Sequence, residues 1–260
     1  LSIRSDRMEK LAAQLADLGL PYTRIDAVDG VSGEDIGRPV GHPLSTPEYA
    51  CYLSHIKALQ AFLKTGDDQG LILEDDIVLS RNLVNALGIA PQPAPENTIT
   101  RLEAPTNTHW GQASFVHRRP HLSQDGFKLY ALKGRSFGSG AYLISRTSAQ
   151  RFVAHMPTPN RPIDVQLFCN TGPKLLHFKV LQFEPALAIQ RQFLKGEEAE
   201  DSDIVAAFEN RMGKSKAAKP AYTKPFFNIY YNLRSIARFV ILVLGFTRTF
   251  SFDDPERNFN

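Results

Sequence analysis

The 260 residues are 43% hydrophobic and 22% charged, the balance of a folded chain long enough to bury a substantial core in one large domain or two small ones. A formal net charge of +3, with no zinc finger, long Lys/Arg block or RNA-binding aromatic motif, argues against nucleic acid as a partner. Two cysteines, Cys51 and Cys169, lack metal-type neighbours in sequence, so neither a zinc site nor a disulfide framework is expected, and a reducing cytoplasm fits.

Met8, Leu11, Leu15 and Leu18 recur at helical spacing, which predicts an amphipathic helix over 6–18 with Gly19 as its stop. Tyr22 to Val28 alternates like a short strand, and Asp29-Gly30 reads as a turn. Ser45 and Glu48 fit a capping box, with Pro47 suited to the first helical turn. Tyr49, Tyr52, Leu53, Ile56, Leu59 and Leu63 then form a long apolar stripe that Gly66 can end. Gly70 to Leu73 reads as a buried strand, followed by three acids, by Ile77 to Leu79 and by a helix after Ser80.

Residues 91–97 carry three prolines and predict a loop, and Thr98 to Glu103 a strand. Residues 104–126, with Trp110, look polar and irregular; Phe127 to Leu132 is a further strand. Ser139-Gly140 precedes the apolar run Ala141 to Ile144, a helix from about Thr147 to His155, a proline break, and a helix or turn beginning at Asp164. Strands alternating with helices to about residue 190 favour an α/β sheet with helices on its faces. Residues 195–225 are charged and poor in large apolar side chains, like a linker. Residues 226–260 are basic and aromatic. The 11-residue run Ile236 to Phe246 contains Arg238 and is too short to span a bilayer. It suits either a helix lying on an anionic membrane surface or one packed on the domain.

Leu71-Ile72-Leu73-Glu74-Asp75-Asp76 is the most informative segment. Adjacent carboxylates repel one another unless a cation or a proton relieves them, and carboxylate oxygens suit Mg²⁺ or Mn²⁺. If the strand continues, Glu74 and Asp76 point to one side and Asp75 to the other. The alternative is a solvated acidic turn.

The helix Glu48-Tyr49-Ala50-Cys51-Tyr52-Leu53-Ser54-His55, followed by Leu71-Ile72-Leu73-Glu74-Asp75-Asp76, resembles the glycosyltransferases of family 25, the lipooligosaccharide galactosyltransferases and their relatives. Arg4-Ser5-Asp6-Arg7, Arg24-Ile25-Asp26-Ala27-Val28-Asp29-Gly30, Arg101-Leu102-Glu103, Gly140-Ala141-Tyr142-Leu143-Ile144-Ser145 and Pro162-Ile163-Asp164 extend the resemblance, in order, to about residue 190. It implies a GT-A-like, Rossmann-type sheet with flanking helices over 1–194, here without the family's first strand; the apolar run beyond it adds a C-terminal helical tail. The activity implied is transfer of a hexose, usually galactose from UDP-galactose, to a hydroxyl of a lipid-linked or oligosaccharide acceptor, with inversion. The enzyme would work in the cytoplasm, peripheral to the inner face of the membrane.

Carried over, Glu74 and Asp76 hold a divalent metal (Mn²⁺ or Mg²⁺) and Asp75 joins them at the donor diphosphate. Asp164 is the candidate base for the acceptor hydroxyl, or else a helix N-cap. His55 is the second catalytic candidate and, with Ser54, faces the donor pocket, or else it is a hydrogen-bonded core residue. Arg7 contacts donor phosphate or is a surface charge. Asp26 and Asp29 touch the nucleotide or make a turn. A truncated, inactive sugar-nucleotide binder and a metal-dependent phosphohydrolase are the competing readings.

Overall fold

A computed structural model describes residues 5–30, 35–90, 95–103, 114–117, 119–133, 136–156, 158–169, 176–194 and 247–250. Trp110, the linker 195–225 and, apart from residues 247–250, the tail 226–260 lie outside the described residues.

The fold is mixed α/β. Helix α1 (Ser5–Asp17) is followed by α2 (Thr46–Leu63), β1 (Gln69–Leu73), β2 (Ile77–Leu79) and α3 (Leu83–Ile89). Next come β3 (Thr98–Arg101), β4 (Ser114–His117), β5 (Leu122–Gln124), β6 (Phe127–Lys133) and β7 (Ala141–Ser145). The rest is α4 (Arg146–His155), α5 (Ile163–Phe168), β8 (Lys179–Glu184), β9 (Ala188–Gln190) and β10 (Thr247–Phe250).

The main sheet runs β1-β7-β3-β8-β6-β4-β10, with β5 paired to β6. β2 leaves it to pair with β9. Among the described strands only β3 and β8 are parallel; the other pairs in the main sheet are antiparallel. The α/β sheet is therefore mixed in strand direction. Parallel neighbours need a long crossover, whereas several connections here are too short for that. Between β5 and β6 stand only Asp125 and Gly126, both at positive φ (49° and 82°), the geometry of a tight hairpin.

Helices do flank the sheet on both faces, because successive side chains of a strand point to opposite sides. Along β7, Ala141 and Leu143 join the core beneath α1, α3 and β2. Tyr142 and Ile144 join the core beneath α2, α4 and α5. All five β7 residues are buried, as an apolar run between two layers requires. β1 is instead only partly buried, not the buried strand expected, because it has a neighbour on one side alone among the described strands.

The start of α2 is set by its sequence. Ser45 Oγ accepts the Glu48 N–H while Ser45 N–H donates to the Glu48 carboxylate at 2.7 Å, a complete capping box. Two other expectations fail. Residues 22–28 form no strand: their polar groups go to side chains of α2, with Val28 N donating to Ser54 Oγ (2.9 Å) and Lys57 Nζ donating to the Asp26 carbonyl (2.7 Å). Gly30 then seats the segment on α2, since a Cβ there would come 2.8 Å from that of Ala50. The stretch 104–126, expected to be irregular, contains β4 and β5, because pairing with β6 supplies the hydrogen bonds its polar composition does not advertise.

Candidate active site

Glu74, Asp75 and Asp76 form the turn between β1 and β2. The strand does not continue through them, so the expected same-side geometry of Glu74 and Asp76 is replaced by turn geometry. Glu74 N–H donates to Gly140 O (2.8 Å), and the Asp76 carbonyl accepts Arg191 N–H (2.8 Å). The turn is thus pinned at both ends, to the strand start of β7 and to the 3-10 turn Arg191–Phe193.

The capping box sets the register of α2 and puts His55 on the face turned to this turn. His55 is 4% exposed. Its Nε2 lies 3.0 Å from Glu74 Oε1 and its Nδ1 3.0 Å from the Tyr142 hydroxyl. Its ring also stacks on that of Tyr142. Ser139 Oγ donates to the same Glu74 oxygen at 2.7 Å. Burial pushes the Glu74 carboxyl up, but the bond and charge of His55, with bonds from Ser139 and Gln190, together hold it below the ordinary carboxylate range.

Asp76 goes the other way. Burial first, then the charges of Glu74 and Asp75, push it up to about 7, against the pull of Arg7. Its Oδ1 is shut from solvent and makes no hydrogen bond among the described residues. Asp75 is half-buried and also raised, by burial before the neighbouring Glu74, with Arg7 opposing. Arg7 of α1 is 8% exposed, and its charge acts on both aspartates. It is therefore not the surface charge that was one of its two readings.

Sequence reasoning missed a second acid layer. Glu103 is fully buried; its Oε2 accepts Gly140 N–H at 2.9 Å, while Oε1 has no hydrogen bond among the described residues. Burial, joined by the charges of Glu74 and Asp76, raises it to about 8, although Arg101 stands 3.6 Å away. Arg101, 0% exposed, donates to Gln182 Oε1 (3.2 Å), to Gly138 O (3.3 Å) and to Phe137 O. Asp164 accepts Gly138 N–H on Oδ2 (3.0 Å) and Val165 N–H on Oδ1 (2.7 Å). Burial raises it too.

Residues 138–140 are thus the hub. Gly138, Ser139 and Gly140 reach Asp164, Arg101, Glu74 and Glu103 through backbone groups and one hydroxyl. Gly138 has φ +88°, and a Cβ on it would come 2.6 Å from Glu103 Oε1. The one signal in the sequence is Gly-Ser-Gly before an apolar strand.

The structure brings Glu74, Asp75, Asp76, His55, Arg7 and Asp164 into one electrostatic network. Ser54 clamps instead: its Oγ donates to Ala50 O (2.8 Å) while accepting Val28 N–H. Asp26 is exposed and pairs with Arg24 (3.1 Å). Asp29 is half-buried beside Gly30, where the chain meets α2. Cys51, expected to lack metal-type neighbours, sits with His55 and Glu74, and their donor atoms lie within 4.8 Å of one another. Helical periodicity explains the error: Cys51 and His55 share a face of α2, but only folding carries Glu74 to it.

A carboxylate set of this kind suits a hard divalent cation. Asp76 Oδ1, buried and without a hydrogen bond among the described residues, and a carboxyl pushed up by burial and by the charges of Glu74 and Asp75, are what a cation would relieve. Among the described residues no helix is long and apolar enough to cross a membrane.

Residues 1–167 match the family described as glycosyltransferase family 25 (LPS biosynthesis protein). The chain is also similar to the lacto-N-neotetraose biosynthesis glycosyltransferase LgtB of Neisseria gonorrhoeae. The two are 26% identical over 214 residues, covering 73% of this chain and 72% of the relative.

Proposed function

This chain belongs to glycosyltransferase family 25 and is a glycosyltransferase, and from that premise we propose that it moves galactose from UDP-galactose to a saccharide acceptor in lipooligosaccharide biosynthesis, with inversion. The observation that carries the site assignment is the buried Asp76 Oδ1 without a partner, in a turn of three carboxylates at the carboxyl end of β1. That location supports a GT-A-like reading, since ligands of open α/β sheets sit beyond strand ends. The relative named for lacto-N-neotetraose biosynthesis supports a saccharide acceptor. The choice of galactose rests on the family resemblance.

Glu74 and Asp76 would hold Mn²⁺ or Mg²⁺. When bound, such an ion supplies charge that neutralises the donor diphosphate as it leaves. The protein's own residues prepare for this. His55 and Ser139 keep Glu74 ionised and aimed. Arg7 brings a positive charge to Asp75 and Asp76 on the side of α1, where a diphosphate would also find it. Asp164 has both oxygens engaged by backbone N–H groups, so its part is to position residues 138–140 rather than to take the acceptor proton.

The test is UDP release and sugar transfer by purified protein with Mn²⁺ and a panel of nucleotide sugars, alongside Asp76→Asn. Release that needs the ion, prefers UDP-galactose and falls at least about 100-fold in the variant supports the assignment, a loss of the size expected when a transition-state charge contact is removed. UDP binding without release from any donor would favour a binding-only family member. Cleavage of simple phosphoesters without a sugar acceptor would favour a phosphohydrolase.

A further inference from the structure

We propose that Cys51, His55 and Glu74 form a second cation site, one for a thiophilic divalent ion such as Zn²⁺, distinct in donor chemistry from the all-carboxylate turn. Cys51 and His55 lie four residues apart on one face of α2, a spacing that stacks their side chains. Glu74 approaches that face from the end of β1, and the donor atoms of the three lie within 4.8 Å of one another. Four-coordinate zinc bonds of roughly 2.0–2.3 Å place neighbouring ligand atoms roughly 3.3–3.8 Å apart, so small side-chain rotations suffice. The His55 Nε2 to Glu74 Oε1 separation, 3.0 Å, is already near that edge length.

The surroundings complete the case. A metal-binding imidazole needs its other nitrogen held as a donor, and Tyr142 OH stands 3.0 Å from Nδ1. A phenol hydroxyl can accept as well as donate, so turning the Tyr142 O–H leaves the Nε2 lone pair free toward Glu74. In the metal-free pair a proton on Nε2 fills the gap to Oε1; on binding, the neutral imidazole carries its proton on Nδ1 instead, facing the Tyr142 oxygen, and the cation takes the place at Nε2. The thiol proton of Cys51 is released to solvent on binding. Without a cation, burial and then the charge of Glu74 hold that thiol well above its ordinary range, so the ion itself drives the ionisation. Sulfur and imidazole donors select soft ions over Mg²⁺, whereas the neighbouring aspartates do the reverse. Glu74 belongs to both sets. If the transferase reading holds, a soft ion here withdraws one carboxylate from the acidic turn.

Co²⁺ titration of the full chain tests the site without reference to turnover. A thiolate-to-cobalt charge-transfer band saturating at one equivalent and bleached by Zn²⁺ is expected; Co²⁺ held by carboxylates alone gives no such band. The chain has two cysteines, and Cys169 is buried with its Sγ 3.7 Å from Ser136 O. Cys51→Ser should therefore abolish the band and Cys169→Ser retain it. If Cys51→Ser does not fold, Cys169→Ser answers alone. No thiolate band in the wild type, or a band lost with Cys169 rather than Cys51, overturns the proposal.

Discussion

His55 Nε2 stands 3.0 Å from Glu74 Oε1, so helix α2 grips the first acid of the turn that follows β1. His55→Ala removes that grip and leaves the Tyr142 hydroxyl without its ring partner. Losing one partner of a buried hydrogen bond costs about 1–3 kcal/mol, which urea denaturation will read as a lower midpoint. Donor turnover should fall with it, and His55→Gln, which can still offer an N–H to Glu74, should recover part of both. Full activity in the alanine variant would dismiss the pairing as incidental.

Asp76 and Glu103 give the metal-free protein an unusual pH dependence. Their folded values, about 7 and about 8, exceed the ordinary 3.8 and 4.5. Between those limits the folded state binds more protons than the unfolded chain, so stability declines as pH rises, through about 7 for Asp76 and about 8 for Glu103. Glu74 has the opposite sign: its depressed value contributes stability that is lost on acidification. Melting temperatures in chelator should therefore drop from mildly acid to mildly alkaline buffer. Mn²⁺ should shrink the drop, and so should Asp76→Asn. A curve that is flat or rising over that range in chelator would contradict the buried acid cluster.

Arg101 and Glu103 are both 0% exposed and 3.6 Å apart. Arg101→Met leaves the Gly138 and Phe137 carbonyls and Gln182 Oε1 without their donor, and takes away the charge that opposes the rise of Glu103. Each buried acceptor left unpaired costs about 1–3 kcal/mol, and the loss should grow as pH rises through about 8, where Glu103 ionises and needs the guanidinium. Arg101→Lys should not rescue, because the Phe137 and Gly138 carbonyls and Gln182 need a guanidinium fork. A loss below about 1 kcal/mol in the single variant, the range of an exposed pair, would sink the argument.

Asp164→Asn separates positioning from proton transfer. An asparagine retains a single acceptor oxygen for the two N–H groups of Gly138 and Val165. Positioning predicts lower stability, with kcat reduced less than about tenfold and the pH profile of kcat/KM unmoved. A loss of several hundredfold in kcat at unchanged stability would instead make Asp164 the base.

Much of the local structure was legible. The capping box located the start of α2, and the apolar run 141–144 located β7, because each rests on contacts within a few residues. The acidic triplet was legible as chemistry but misplaced as geometry. Its residues sit in a turn because β2 departs to pair with β9, a partner more than a hundred residues away in sequence that local propensity cannot reveal. Tyr22 to Val28 alternated like a strand, yet side chains of α2 took its polar groups.

By itself the sequence determined the family, through an ordered set of motifs, and with it glycosyl transfer as the class of chemistry; the three adjacent carboxylates after an apolar strand marked where the proposed cation would bind. Only the tertiary structure decided which carboxylates are pushed above their ordinary range and which is held below it. That depends on burial and on charges brought from α1, α2, β3 and residues 138–140, and electrostatic energy follows distance in space and local dielectric, neither of which is written in the order of the residues.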